Sequence, residues 1–172
     1  MKRRDRELTE LEEFRYVLDH SDVVHIAMHD GDGLYLLPMN YGYTLEESGK
    51  LTLYVHGSLE GKKWDLIREN GQVAVEIDCD HALIEGKVPC QYGYGYASIL
   101  GSGTIEILDS PEEKAEAMAV LMKTMTGKDF SFNEKLVSIV TVARIAVDSY
   151  TGKRRPVKEG EKIMTERMRS HA

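Results

Sequence analysis

The architecture can be worked out from one segment, Leu51-Thr-Leu-Tyr-Val-His-Gly-Ser-Leu-Glu-Gly-Lys-Lys63, in which a strand leads into a helix. Its first six residues alternate apolar and polar side chains, the pattern of a half-buried strand. Gly57-Ser58 ends the strand, and Ser58 is a candidate N-cap for a helix that runs to Asn70-Gly71. A further strand, residues 72–78, follows at once.

More strands are predicted on both sides of this segment. Two of them are joined by the turn residues 29–33 and form a hairpin, in which Pro38 marks an edge or a bulge. Gly101 and Gly103 mark bulges in a long later strand, and residues 79–92 are predicted to be a loop. The strands predicted outside the segment are residues 23–28, 34–43, 94–108 and 140–150.

Two helices have clear start signals. Thr9-Glu-Leu-Glu12 is a capping-box pattern that opens a helix to about His20. Ser110-Pro-Glu-Glu113 combines an N-cap, a proline and a glutamate, which predicts a helix from Pro111 to Thr126. Because these helices do not alternate with the strands, a doubly wound parallel sheet is disfavoured. The sequence predicts a mainly β (α+β) fold built as a small antiparallel barrel.

Length and charge restrict the class of protein. A chain of 172 residues suits one domain, and its net charge is −7. Residues 151–172 carry seven basic and three acidic side chains, so −11 remains on residues 1–150, which argues against nucleic-acid binding through the domain body. Two cysteines and no apolar run long enough to span a bilayer predict a cytoplasmic protein without membrane contact.

A phosphate site is the chemistry that the opening segment favours. The free N–H groups at a helix start attract anions, and Lys62 and Lys63 add positive charge. The alternative is that Ser58 only caps the helix while both lysines are solvated. A Walker A loop is rejected, because Lys63 stands where a magnesium-binding Ser or Thr is required.

Metal and nucleophile signals are weak. His25 and His29 lie about 13 Å apart if they are on one strand, too far to share a metal. Cys79, His81 and Cys90 are irregularly spaced and lack a fourth ligand. Neither a dinucleotide-binding glycine motif nor a nucleophile elbow is present. We therefore expect no metal site.

Four segments together resemble a known family. They are Leu37-Pro-Met-Asn-Tyr-Gly-Tyr43, the segment 51–63, Tyr96-Ala-Ser-Ile-Leu-Gly-Ser-Gly103 and Thr151-Gly-Lys-Arg154. In this order they are similar to the nitroimidazole-resistance-related branch of the pyridoxamine 5′-phosphate oxidase-like, flavin-binding split barrels. The resemblance covers about residues 4–155.

The resemblance implies a six-stranded antiparallel split β-barrel with two or three peripheral helices. It implies a flavin-binding domain over residues 1–155, followed by a basic tail or short helix over residues 156–172. The family pattern also implies a homodimer with flavin at the subunit interface.

The resemblance assigns site residues as well. Met39, Asn40 and Tyr41 would line the isoalloxazine edge, partly through backbone groups, and Ser98 would approach from a neighbouring strand. The ribityl phosphate would be held by His56, Ser58, Lys62 and Lys63, with Lys153 and Arg154 near the pocket from the other subunit.

The implied function is a flavin-dependent oxidoreductase. It would reduce a small electrophile such as a nitroaromatic through FMN or FAD, with NAD(P)H or another compound as electron donor. His56 is the one catalytic candidate, since it is the only nearby group that titrates near neutrality. The alternative is a non-enzymatic flavin-binding or haem-binding protein on the same barrel.

Overall fold

Seven antiparallel strands form one sheet in the computed structural model, which describes residues 4–164. The spatial order of the strands is β2-β1-β5-β6-β7-β4-β3, and β2 and β3 are not paired with each other, so the sheet is not closed. The strands are β1 (Val24–Asp30), β2 (Gly33–Met39), β3 (Tyr41–Leu45), β4 (Leu51–Gly57), β5 (Gln72–Ile84), β6 (Gly93–Ile107) and β7 (Thr141–Arg155).

The helices lie around this sheet. Alternating strand residues such as Ile26 and Ile145 are fully buried and form the core together with Val17 and Leu18 of the first helix. The helices are α1 (Leu11–Asp19), α2 (Lys62–Glu69), α3 (Pro111–Thr126) and the single turn α4 (Glu134–Val137). The predicted antiparallel fold with peripheral helices is confirmed.

The predicted number of six strands is wrong. Residues 34–43, expected to be one strand, break at Asn40 into β2 and β3, which lie at opposite edges of the sheet. The break allows one chain segment to pass from the β1 side of the sheet to the β4 side. Seven strands result.

Three local predictions are also corrected. Residues 79–92 are not all loop: β5 continues to Ile84 through an irregularity between Cys79 and Ala82, because β6 continues beside it and offers a backbone partner. Strand β7 extends to Arg155 for the same reason. At α1 the cap is shifted by one residue, since the Glu13 carboxylate accepts from the backbone N–H groups of Thr9 and Glu10.

The basic tail is described only in part. Residues 156–164 contain a turn and an isolated bridge between Ile163 and Ile84, with no helix in that range. The backbone N–H of Met164 donates to the Leu83 carbonyl, so this segment runs beside the end of β5. The remainder of the predicted tail, residues 165–172, lies outside the described residues.

Strand β3 is packed closely against α3. A Cβ atom built on Gly42 would lie 2.3 Å from the Cα of Leu121 and 2.6 Å from its backbone nitrogen. Glycine is therefore required here so that the two backbones can approach one another. This contact fixes α3 across β3 and β4.

Candidate functional site

A pocket of about 420 Å³ lies where the β2–β3 corner meets the end of β4 and the start of α2. Leu37 and Met39 supply apolar wall, and they share a face of β2 because they are two residues apart. Asn40, His56 and Lys63 supply polar groups. The pocket thus combines an apolar wall with a few convergent polar groups, as small-molecule sites do.

The β2–β3 corner is held in place by hydrogen bonds to the chain around α1. The Asn40 amide donates to the backbone carbonyl of Asp22 at 2.9 Å, and the Tyr41 hydroxyl donates to that of Leu18 at 2.8 Å. Burial raises the pKa of Tyr41, whose side chain is fully enclosed. Tyr41 therefore faces the core, and only its backbone is available to the pocket side.

His56 is the second-last residue of β4 in its ladder with β7 and is half-buried. Burial lowers the pKa of its imidazole, so the neutral form predominates at pH 7. Its Nδ1 atom is buried and has no hydrogen-bond partner within residues 4–164. Since buried polar atoms are nearly always paired, this nitrogen is available to a hydrogen-bond partner from the pocket.

The start of α2 is anchored by Trp64. Its indole N–H donates to the Ser58 carbonyl at 2.7 Å, and its side chain is fully buried. The structure corrects the predicted cap: Gly61 is the N-cap, and the Ser58 hydroxyl donates to the Glu60 carbonyl instead. The helix start, where an anion is predicted to bind, therefore lies at Gly61, three residues after Ser58.

The two adjacent lysines at this helix start have different surroundings. The Lys62 ammonium pairs with the Asp30 carboxylate and lies 5.4 Å from the centre of the Tyr35 ring. Lys63 lines the pocket, and its ammonium lies 4.8 Å from the Trp64 ring centre. Among the described residues, no carboxylate is within ion-pairing distance of Lys63.

Gly57 makes room for the Lys63 side chain. A Cβ atom at position 57 would lie 3.0 Å from Cε of Lys63 and 3.1 Å from the Trp64 ring. Both distances are shorter than ordinary contacts between carbon atoms. The absence of a side chain at Gly57 therefore lets Lys63 lie over Trp64, beside the pocket.

Six of the predicted site residues do not line this pocket: Tyr41, Ser58 and Lys62, described above, and a second group of Ser98, Lys153 and Arg154. Ser98 on β6 lies opposite Lys153 on β7, on the outer face of the sheet. The neighbouring Arg154 lies 4.7 Å from the Tyr16 ring centre and 4.0 Å from the Asp80 carboxylate. Within one chain the pocket brings together Met39, Asn40, His56 and Lys63. Ser98, Lys153 and Arg154 lie outside it, on β6 and β7.

Sequence reasoning also missed part of the wall. Val23, Leu37 and Pro38 line the pocket but were not among the predicted site residues. The period of two along a strand could have indicated Leu37, since it shares the face of Met39. Val23 lies just before β1, and nothing local in the sequence signals its role.

The fold is an antiparallel split barrel, and its pocket has an apolar wall and polar groups next to the start of a helix. This arrangement is typical of barrels that bind small ligands. Residues 10–154 match the sequence profile of the family described as pyridoxamine 5′-phosphate oxidase. The chain belongs to this family, which confirms the resemblance noted from the sequence. A search of curated proteins finds no match.

Solved structures support this assignment. A candidate 5-nitroimidazole antibiotic resistance protein from Bacteroides thetaiotaomicron is 27% identical, with a TM-score of 0.73 and 86% of each chain covered. The FAD and haem binding protein from Mycobacterium smegmatis is 17% identical, with a TM-score of 0.73 over 89% of this chain and 76% of that one. A flavocytochrome from Azotobacter vinelandii is 14% identical, with a TM-score of 0.71 over 97% and 75%.

The last two likenesses concern the fold alone. The described helices include none that is both long and apolar enough to cross a membrane.

Proposed function

We propose that this pocket binds the phosphate and ribityl end of FMN, and that the protein uses the flavin to reduce a small electrophile. The buried, unpartnered Nδ1 of His56 is the observation that carries the proposal. It lines the same pocket as Lys63, which has no carboxylate partner in the described part of the chain. A phosphate and a ribityl hydroxyl would satisfy these two groups.

The residues around the pocket fit such a group. The ammonium of Lys63 lies at the N-terminal end of α2, where backbone N–H groups and the helix dipole also favour an anion. Leu37 and Met39 offer an apolar wall for a flat ring, and the exposed Asn40 offers polar atoms at its edge. Tyr41 takes part only through its backbone, because its hydroxyl is held by Leu18.

Bound flavin would supply the electron transfer, with NAD(P)H as the donor we propose. Lys63 neutralises negative charge at the phosphate end and so holds the group in place. Neutral His56 orients a hydroxyl through Nδ1 and acts as the one catalytic candidate, able to hold a proton near the pocket. A nitroaromatic acceptor is supported by the likeness to the Bacteroides protein named for 5-nitroimidazole resistance.

We further propose that the protein works as a homodimer through the outer face of the sheet. Leu34, Leu36 and Leu100 on this face are 75%, 64% and 51% exposed. Leu36 lies opposite Ala27, and Ala27 lies opposite Ala74. The two alanines therefore extend the apolar surface from Leu36 across β1 and β5. The apolar part of this face suits a second copy of the chain, and the same face also carries the polar side chains of His25 and Glu76 beside Leu100.

The same face explains two members of the second group of predicted site residues. Arg154 lies opposite the buried Ala97 and so points to the other side of the sheet, but Ser98 and Lys153 both lie on the outer side of β6 and β7. In a dimer they would contribute to the flavin site of the second copy. This assignment predicts that their substitution weakens flavin binding only in the dimer.

The absorbance spectrum of the purified protein tests the cofactor proposal. Two flavin bands, with FMN identified by mass spectrometry after release, are the expected result. A Soret band, or release of FAD alone, would contradict FMN as the cofactor. The enzymatic part is tested by NAD(P)H-dependent reduction of a nitroaromatic by the FMN-loaded protein, and absence of turnover with flavin bound would leave only the binding function.

Sedimentation at micromolar concentration tests the dimer. Wild-type protein should sediment as a dimer, and Leu36→Glu combined with Leu100→Glu should give a monomer. A wild-type monomer would contradict the proposed interface. Leu136→Glu, at an exposed leucine on α4 and outside this face, is the matched control for added charge.

A further inference from the structure

A second cluster of polar side chains lies on the outer face of the sheet, outside the pocket. His25 on β1 and Glu76 on β5 are cross-strand neighbours, and Asp78 follows two residues later on the same face of β5. One nitrogen or oxygen atom from each of the three side chains lies within 4.8 Å of the others. The antiparallel register of β1 and β5 thus brings together residues about 50 positions apart in the chain.

The cluster differs from an ordinary acidic surface patch. The His25 Nδ1 atom lies 3.0 Å from a carboxylate oxygen of Glu76, and all three side chains are partly enclosed by the sheet. Two carboxylates that repel each other beside an imidazole form a donor set that a cation would stabilise.

His81 supports the Asp78 carboxylate. The β5 strand is irregular between Cys79 and Ala82, where Asp80 has a φ of 60°. The His81 Nε2 atom lies 2.7 Å from the Oδ2 atom of the Asp78 carboxylate. Metal-binding carboxylates are commonly held in orientation by a hydrogen bond of this kind.

We propose that His25, Glu76 and Asp78 bind one divalent first-row transition-metal cation, of which zinc is the representative, and that His81 orients Asp78. Zinc binds imidazole nitrogen and carboxylate oxygen at about 2.0–2.2 Å, which places ligand atoms about 3.3 Å apart in a tetrahedral site. The donor atoms of the three side chains, now within 4.8 Å of one another, would have to come together to that spacing on binding the cation. Three protein ligands leave a position for water or a further ligand.

The donor types set the metal class. An imidazole ligand favours zinc and its neighbours in the first transition row over magnesium and calcium, which prefer oxygen ligands alone. The cation would join β1 to β5. It would also lie next to the pocket wall, because His25 is the cross-strand partner of Pro38, which lines the pocket.

This inference does not rest on the flavin proposal, and its test uses metal binding alone. The metal-free full-length chain is titrated with Zn²⁺ by calorimetry, and bound zinc is counted by mass spectrometry. We expect one zinc per chain. Affinity should fall at least about 10-fold in His25→Ala and in Asp78→Asn, and about 10-fold in His81→Gln.

His29→Ala is the matched control, since His29 is exposed on the same strand and is not part of the cluster. Its zinc affinity should equal that of the wild type. Equal zinc binding by His25→Ala and the wild type would overturn the proposal. Magnesium binding as tight as zinc binding would also overturn it, because it would show a diffuse acidic surface only.

Cobalt provides a reading that does not depend on the folding of any variant. Co²⁺ added to the wild-type protein should give visible absorption bands of nitrogen and oxygen coordination. A sulfur-to-metal band in the wild-type protein would place the metal on a thiol, of which Cys90 is exposed, and would overturn the site. Absence of any cobalt band would overturn it as well.

Discussion

Two regions next to the start of β3 are built in opposite ways. At Asn40 the chain borders a pocket in which the imidazole nitrogen of His56 has no hydrogen-bond partner among residues 4–164. Two residues later, at Gly42, the backbone of β3 packs so tightly on α3 that no side chain fits. The first region leaves bonding capacity for a ligand, whereas the second uses all available space for packing. Substitutions in the two regions should therefore affect different quantities.

The largest effect is expected at the packed region. Gly42→Val should lower the free energy of unfolding by about 3 kcal/mol, because the new side chain meets backbone atoms of Leu121 that cannot move away. Urea unfolding measures the change, and Thr44→Val, at an exposed position of the same strand, is the control. Unchanged stability in Gly42→Val would mean that α3 can shift, which would remove the contrast between the regions.

The next effect concerns the pocket and separates the two lysines. Lys63→Ala should weaken FMN binding about 10- to 100-fold, as expected for loss of a charge-assisted hydrogen bond worth about 1.5–3 kcal/mol. Riboflavin, which lacks the phosphate, should be affected far less. Calorimetry with both ligands measures this difference.

Lys62→Ala is the matched control for that experiment. It should change FMN affinity by less than about threefold, because the Lys62 ammonium is already paired with the Asp30 carboxylate and does not line the pocket. The exposed ion pair itself contributes little to folding stability, so the variant should remain folded. If both variants lost equal affinity, the distinction between an engaged and an available lysine would be wrong.

A third prediction examines whether His56 only orients the flavin or also transfers a proton. His56→Asn should retain flavin, and reoxidation of the prereduced protein by a nitroaromatic should slow by about 10- to 100-fold. Loss of a general acid or base typically costs about 10²- to 10⁴-fold. Single-turnover absorbance measures the rate. Complete loss of reoxidation with flavin bound would make His56 a proton donor, and an unchanged rate would make it a packing residue.

The smallest effect is a pH dependence of stability. Burial lowers the pKa of His56 in the folded protein, so the unfolded chain takes up the proton first as pH falls. This contribution to stability is present above pH ~6.5 and is lost as pH falls towards the folded-state pKa. Urea unfolding at pH 7.5 and 5 should show a smaller loss in His56→Gln than in the wild type. An equal loss would show that His56 is not desolvated in solution.

Local signals in the sequence were enough for the elements that carry their own caps. Ser110 and Pro111 fixed the start of α3, where the Ser110 hydroxyl accepts from the Glu113 N–H as the motif predicts. The break at Asn40 could not be predicted. Residues before it pair with β1 and residues after it pair with β4, and these two partners are far apart in the sheet order, which local sequence does not reveal.

The candidate site shows the same limit. Proximity of His56 and Lys63 follows from a strand that leads into a helix, so the sequence pointed to both. It could not tell Lys62 from Lys63, because the partner of Lys62, Asp30, is 32 residues away in the chain. Nor could it place His25 beside Glu76, since that contact depends on the register of two strands 51 positions apart.

The edges β2 and β3 are joined through Asn40 by covalent bonds and not by a ladder of hydrogen bonds. The barrel therefore has a seam that can widen without breaking a single backbone hydrogen bond between these two strands. Side-chain contacts such as the one from Asn40 to Asp22 are what oppose such widening. A ligand that enters beside Met39 and Asn40 meets the wall at this seam, where no backbone hydrogen bond between β2 and β3 has to break to admit it.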